Sequence, residues 1–144
     1  MREGENVDYQ ELAEEALQNM RALTMNMHLR TINESLQGRD FVLRYIASQS
    51  DEVIPSEISQ EMGTSTARVA ATLNDLEDKG FIQRSIDRSD RRRIRIKLTE
   101  DGQKHVIIHS KEILETMEKM LAYLGEEDAR EYVRITGRLA KMPK

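Results

Sequence analysis

The chain has 144 residues, a formal net charge of −4, 33% charged residues, 4% aromatics, and neither tryptophan nor cysteine. That length fits one domain, or one domain with a dimerisation arm; the absence of cysteine excludes disulfides, thiol redox sensing and cysteine-held metals, and the few aromatics argue against an aromatic ligand cage. No apolar run approaches the roughly 18 residues of a membrane span, and the acidic start (Glu3, Glu5, Asp8, Glu11) lacks the basic-then-apolar pattern of a signal peptide, so a cytoplasmic protein with no membrane contact is expected.

In chain order, Leu12, Ala13, Ala16, Leu17, Met20, Leu23, Thr24 and Met27 recur at three- and four-residue steps, which predicts one long helix from about Asp8 to Ile32. A second helix is expected over Arg39–Gln49, with Phe41, Val42, Tyr45 and Ile46 on its apolar side. Val53-Ile54-Pro55 reads as extended, because proline pushes its predecessor out of the helical region. Pro55 or Ser56 then starts a short helix carrying Ile58 and Met62 that stops at Gly63. The next helix, capped by Thr64 or Ser65, runs to Lys79 and ends at Gly80, burying Val69, Leu73 and Leu76.

After that helix the pattern changes from three- and four-residue steps to alternation. Phe81 to Ile86 is a short β-prone run; Asp87-Arg88-Ser89-Asp90 are turn formers; Ile94, Ile96 and Leu98 alternate with Arg93, Arg95 and Lys97. This predicts a two-stranded hairpin with apolar residues facing in and cations facing out. Residues 84–97 hold seven Lys or Arg and two Asp, a local +5 that leaves −9 for the remainder. A cationic finger on an acidic chain points to a polyanionic partner. Thr99-Glu100-Asp101 restarts the helix with a cap and two acids. Its stripe comprises Val106, Ser110, Ile113, Leu114, Met117, Met120, Leu121 and Leu124. Gly125 breaks it, and a last helix follows from Glu126 to about Met142.

The two helices Pro55–Met62 and Ser65–Lys79, joined at Gly63-Thr64, form a helix-turn-helix pattern whose second helix is expected in the major groove. With Val69, Leu73 and Leu76 inward, Ser65, Thr66, Arg68, Ala71, Thr72 and Asp75 lie on or near the outward face. Arg68 is the expected base reader, since arginine bonds guanine O6 and N7 together for ~1–3 kcal/mol of discrimination; Ser65, Thr66 and Thr72 are expected to assist. The fold class is therefore mainly α with a small β-hairpin wing: a winged helix-turn-helix (residues 38–99) flanked by long dimerisation helices (1–37 and 100–144). Terminal helices of ~25 residues, ~38 Å long, exceed the small middle unit, and a second copy of the chain is the economical partner.

Residues 55–102 resemble the MarR-type bacterial transcriptional regulators. The resemblance rests on Pro55-Ser56-Glu57-Ile58-Ser59, on Leu76 through Arg84, on Asp87-Arg88-Ser89-Asp90-Arg91-Arg92, and on Leu98-Thr99-Glu100-Asp101-Gly102. It implies a homodimer that binds a palindromic operator on double-stranded DNA, usually as a repressor. It also implies that Arg92 enters the minor groove, braced by Asp90, and that Arg84 and Asp87 form an Arg–Asp pair or meet phosphate. A narrow minor groove attracts arginine on physical grounds as well. Arg88, Arg91, Arg93, Arg95 and Lys97 are expected on phosphates, which position without reading sequence. Where many relatives carry Thr-Arg in the recognition helix this chain has Ala70-Ala71, so Arg68 and Thr72 are expected to take over part of the reading.

The resemblance further implies a small aromatic or anionic effector in a crevice between arm and winged helix; Tyr45, Met27, His28 and Arg30 are candidates to border it, but each reads better as core packing or surface, and no ligand-binding residue is assigned. His105 and His109 stand at the spacing of two metal ligands, with Glu112 as a conceivable third, but a solvated pair is the expected reading and no metal or cofactor is assigned. No glycine-rich phosphate loop or nucleophile–base pattern suggests an enzyme. The competing reading is a non-enzymatic winged-helix module that contacts protein.

Overall fold

The computed structural model describes residues 7–144; Glu3 and Glu5 lie outside the described residues. The order is α1 (Tyr9–Met25), α2 (Met27–Ser35), α3 (Gly38–Ser48), α4 (Pro55–Met62), α5 (Thr66–Asp78), β1 (Ile82–Ile86), β2 (Ile94–Leu98), α6 (Glu100–Leu124) and α7 (Glu126–Leu139). No helix among the described residues is long and apolar enough to cross a membrane.

The middle of the chain closes around Val42, Leu43 and Ile46 of α3, Val53, Ile58 of α4, Val69, Leu73 and Leu76 of α5, Ile82 of β1 and Ile96 of β2, all buried. Leu43 belongs to this core although the sequence pattern had placed Phe41 and Tyr45 on the apolar side; both of those are only half-buried. β1 and β2 pair antiparallel, Ile82 opposite Leu98 and Ile86 opposite Ile94. A third piece of chain joins them: Val53 and Ile96 exchange backbone hydrogen bonds, at 3.0 and 2.7 Å. The extended Val53-Ile54, just ahead of α4, thus fastens the wing's inner strand to the domain. The expected inward row is only partly inward: Ile96 is fully buried and Leu98 half-buried, but Ile94 is 43% exposed, because the hairpin runs out past the core at that point.

The expected single N-terminal helix is two helices. Asn26 has extended backbone (φ −72°, ψ 116°), and its side chain accepts the His28 N–H at 2.9 Å, capping α2. A short amide that bonds the local backbone competes with the helix, while the apolar stripe on both sides gives no sign of the break. α2 packs on α6 and buries Ile32 and Ser35. By contrast, α1 and α7 bury no residue, leaving Leu12, Leu17, Met20, Leu23, Val133 and Leu139 exposed.

The wing passes into α6 through a tight junction. The Thr99 N–H donates to Phe81 O at 3.0 Å. The Thr99 hydroxyl donates to Gly80 O at 2.6 Å and accepts the Gly102 N–H at 3.0 Å. A Cβ at position 102 would sit 2.0 Å from Phe81 O, so the Leu-Thr-x-x-Gly sequence reflects helix and loop backbones in direct contact. Beside it, His105 and His109 are not a solvated pair. His105 Nε2 lies 3.3 Å from Asp40 Oδ1, and His109 Nε2 lies 3.3 Å from Asp40 Oδ2. The rings stack on each other and His105 stacks on Phe81, with centroids 5.6 and 4.6 Å apart. Glu112 Oε2 is 3.7 Å from His109 Nδ1, and no group of three or more His, Cys, Asp or Glu among the described residues is placed to hold a metal ion.

Candidate nucleic-acid interface

α5 is positioned by the turn and cap at its start. Gly63 adopts the left-handed conformation (φ 59°, ψ 36°) that ends α4 and turns the chain. Ser65 caps α5, its hydroxyl accepting the Arg68 N–H at 3.2 Å. Thr66, Ala67, Arg68, Ala70 and Ala71 are exposed and Thr72 is half-buried. The Thr72 hydroxyl donates to Arg68 O at 3.1 Å, so its oxygen is the part left to accept. The Arg68 side chain makes no hydrogen bond or ion pair among the described residues.

The wing's seven cations divide into two groups. Arg84 turns back onto α5, donating to Glu77 Oε2 and, at 2.8 Å, to Asn74 Oδ1. Arg95 donates to Asp87 Oδ2 at 2.9 Å. The other five, Arg88, Arg91, Arg92, Arg93 and Lys97, are exposed. Of the two alternatives for Arg84 and Asp87, the mutual pair does not form, because three residues along a strand is an odd step and the two side chains leave by opposite faces; each takes a different protein partner. Arg95, expected on phosphate, takes Asp87 instead.

Asp87 is 6% exposed. Its carboxylate accepts the Ser89 N–H at 2.9 Å, the Ser89 hydroxyl at 2.8 Å and the Arg95 guanidinium, which lower its pKa to about 2. Its own N–H donates to Arg93 O at 2.9 Å, closing the loop. At the tip, Asp90 Oδ1 accepts the Arg92 N–H at 3.0 Å and lies 3.5 Å from Arg92 Nε. The Arg92 side chain remains 93% exposed. Asp90 therefore braces the backbone of the loop more closely than it braces the guanidinium.

Comparison with known proteins identifies this arrangement. A sequence profile described as "MarR family" matches residues 41–93. The HTH-type transcriptional regulator YwhA of Bacillus subtilis is 31% identical over 105 residues, covering 72% of this chain and 73% of that protein. The chain belongs to the MarR family of transcriptional regulators. A second B. subtilis regulator of HTH type, YdgJ, is 28% identical over 90 residues, 62% of this chain but only 55% of YdgJ. Among solved structures, Streptococcus pneumoniae FabT in complex with DNA matches with a TM-score of 0.66 at 23% identity, over 93% of this chain and 96% of that one. A MarR regulator from Methanosarcina mazei matches with a TM-score of 0.67 at 20% identity, over 91% and 95%. At these identities the structural matches establish the fold.

In this MarR-family chain an open cleft of about 1010 Å³ separates α2 and the start of α3 from α4 and α5. Of the four candidates for a crevice, none of them assigned, Arg30 lines this cleft; Tyr45, Met27 and His28 do not. Arg39, Asn33, Arg68 and Thr72 line it as well. Arg30 is engaged by Glu34 at 2.6 Å, and Arg39 faces Asp75 at 3.5 Å. The sequence reading also passed over Asn74, exposed on α5 and tied to the wing; the helical repeat counted from Val69, Leu73 and Leu76 was the signal for it.

Proposed function

We propose that this protein is a homodimeric transcriptional repressor that binds a palindromic operator, with α5 in the major groove and the wing in the minor groove. The observation that carries the reading is the pairing of two surfaces in one small domain. The first two turns of α5 are exposed on their outer side and free of acid, and five cations of the wing face solvent. On this reading Arg68 reads a base edge with Ser65, Thr66 and Thr72 around it. Arg92 enters the minor groove, its loop braced by Asp90, and Arg88, Arg91, Arg93 and Lys97 hold phosphates. FabT was solved with DNA, and a MepR variant of S. aureus, TM-score 0.57 at 24% identity, was solved bound to an oligodeoxyribonucleotide; both lend support to this use of the fold.

The division into arm (1–37 and 100–144) and winged helix (38–99) belongs to the same proposal. The exposed apolar residues of α1 and α7 supply a face for a second copy of the chain. The cleft that includes Arg68 offers a place where a small aromatic or anionic effector would alter α5 directly, and the expected setting is the cytoplasm. Selecting bound fragments from random-sequence DNA tests the proposal. The expected result is one palindrome with half-sites about 10 base pairs apart, bound by a protein that sediments as a dimer; a monomer that enriches no sequence refutes it.

A further inference from the structure

We propose that Ile86 and Ile94 contact DNA: together they form an apolar pad that packs on the deoxyribose face of the strand dividing the major groove from the minor groove. The inference rests on the DNA-binding reading above and deepens it, adding an uncharged part to the wing's grip. Ile86 and Ile94 stand directly opposite each other in the hairpin, so their Cβ atoms are about 5 Å apart and the two side chains make one patch. Ile86 is 66% exposed and Ile94 43%. Exposed apolar residues scattered singly are ordinary on a protein surface. Here two face each other, on a hairpin that also carries five solvent-facing cations. Those cations suit a polyanion as the partner that covers the patch.

Alternation along the strands decides which way the patch faces. Ile82, Arg84 and Ile86 of β1 share one face of the hairpin with Ile94, Ile96 and Leu98 of β2. That face is turned to α5. Ile82 and Ile96 lie in the core with Leu73 and Leu76, and Arg84 reaches back to Glu77 and Asn74 of α5. The Ile86–Ile94 pair is the next step outward, between α5 and the arginine tip. With α5 in the major groove and the tip in the adjacent minor groove, the sugar–phosphate strand between the grooves crosses this patch. Isoleucine offers a phosphate neither charge nor hydrogen bond. The carbon-bound hydrogens of deoxyribose are the surface of that strand it can cover, and covering them takes apolar area of both partners out of water.

The test compares the full-length wild type with Ile86→Thr/Ile94→Thr, which keeps β-branched residues in both strands, on the selected palindrome over a series of salt concentrations. Affinity should fall about tenfold for each chain, roughly a hundredfold for a complex of two. The loss should be the same at every salt concentration, since no phosphate contact is removed and the slope of log affinity against log salt is kept. Ile86→Val/Ile94→Val, still apolar, should recover most of the loss. In the wild-type complex, isotope-labelled isoleucine methyl groups of these two residues should show nuclear Overhauser effects to sugar protons. Thermal melting and sedimentation establish that each variant is folded and in the wild-type oligomeric state. Unchanged affinity of the threonine variant, a shallower slope, or methyl groups with no contact to sugar protons overturns the inference while the operator reading stands. A threonine variant that falls to monomer gives the patch to a second copy of the chain and overturns it as well. A wild-type protein that selects no sequence overturns both.

Discussion

Replacing Arg91 and Arg93 together by glutamine should change how binding depends on salt. Five wing cations face solvent and two are engaged by protein partners, so only the five are available to phosphates. Each phosphate contact contributes ~0.9 to the slope of log affinity against log salt concentration. The double variant removes two cations per chain, four from a two-chain complex, and the slope should become shallower by roughly 3.6. Over a fourfold rise in salt, from ~50 to ~200 mM, the wild type should therefore lose about 150-fold more affinity than the variant. Fluorescence anisotropy of a labelled duplex, titrated at four or five salt concentrations, measures this. An unchanged slope would mean that the tip arginines do not meet the backbone.

Gly102→Ala places a methyl 2.0 Å from Phe81 O, so the wing–arm junction must shift; the expected cost is about 1–3 kcal/mol, seen as a Tm lowered by roughly 2–4 °C per kcal/mol, and an unaltered Tm contradicts the close approach. Asp87, with its pKa lowered to about 2, against about 3.9 in an unfolded chain, binds fewer protons folded than unfolded between those values. Its contribution is complete above the unfolded value and is lost as pH falls through about 2. The Tm difference between wild type and Asp87→Asn should accordingly be constant from pH 7 to 5 and shrink below pH 4, whereas a constant offset down to pH 2.5 speaks against the wing clasp. Leu73→Ala, in the buried face of α5, should cost about 2–5 kcal/mol in urea unfolding; a change under 1 kcal/mol would place that residue outside the core. Leu23→Glu, on the exposed stripe of α1, should shift the protein to monomer in sedimentation without lowering its helix content, and an intact dimer rules out this face as the interface.

The helix-turn-helix and the hairpin were legible because their signals are local. A proline start, a left-handed glycine, a serine cap and a period-two run each act within a few residues, and α4, α5, β1 and β2 fall where those signals put them. What was not legible depends on partners distant in sequence or on the third dimension. Asp40 meets His105 across 65 residues, so two histidines that read as solvated form part of a packed junction. Arg84 and Arg95 look like their neighbours in sequence, yet strand alternation sends one to α5 and the other to Asp87. The break at Asn26 was hidden because the apolar stripe continues through it. Asn74 was overlooked because the count of outward residues was centred on Arg68, which lies toward the cleft, rather than directly opposite the core.

The central claim is sequence-specific recognition by two copies of one winged helix. Titrating the purified protein into its selected palindrome, and into a scrambled duplex of the same length at the same salt, tests it most directly. The account predicts two chains per duplex and an affinity for the palindrome at least ~10³-fold above that for the scrambled duplex. Equal affinity for the two duplexes, or saturation at one chain, would contradict it.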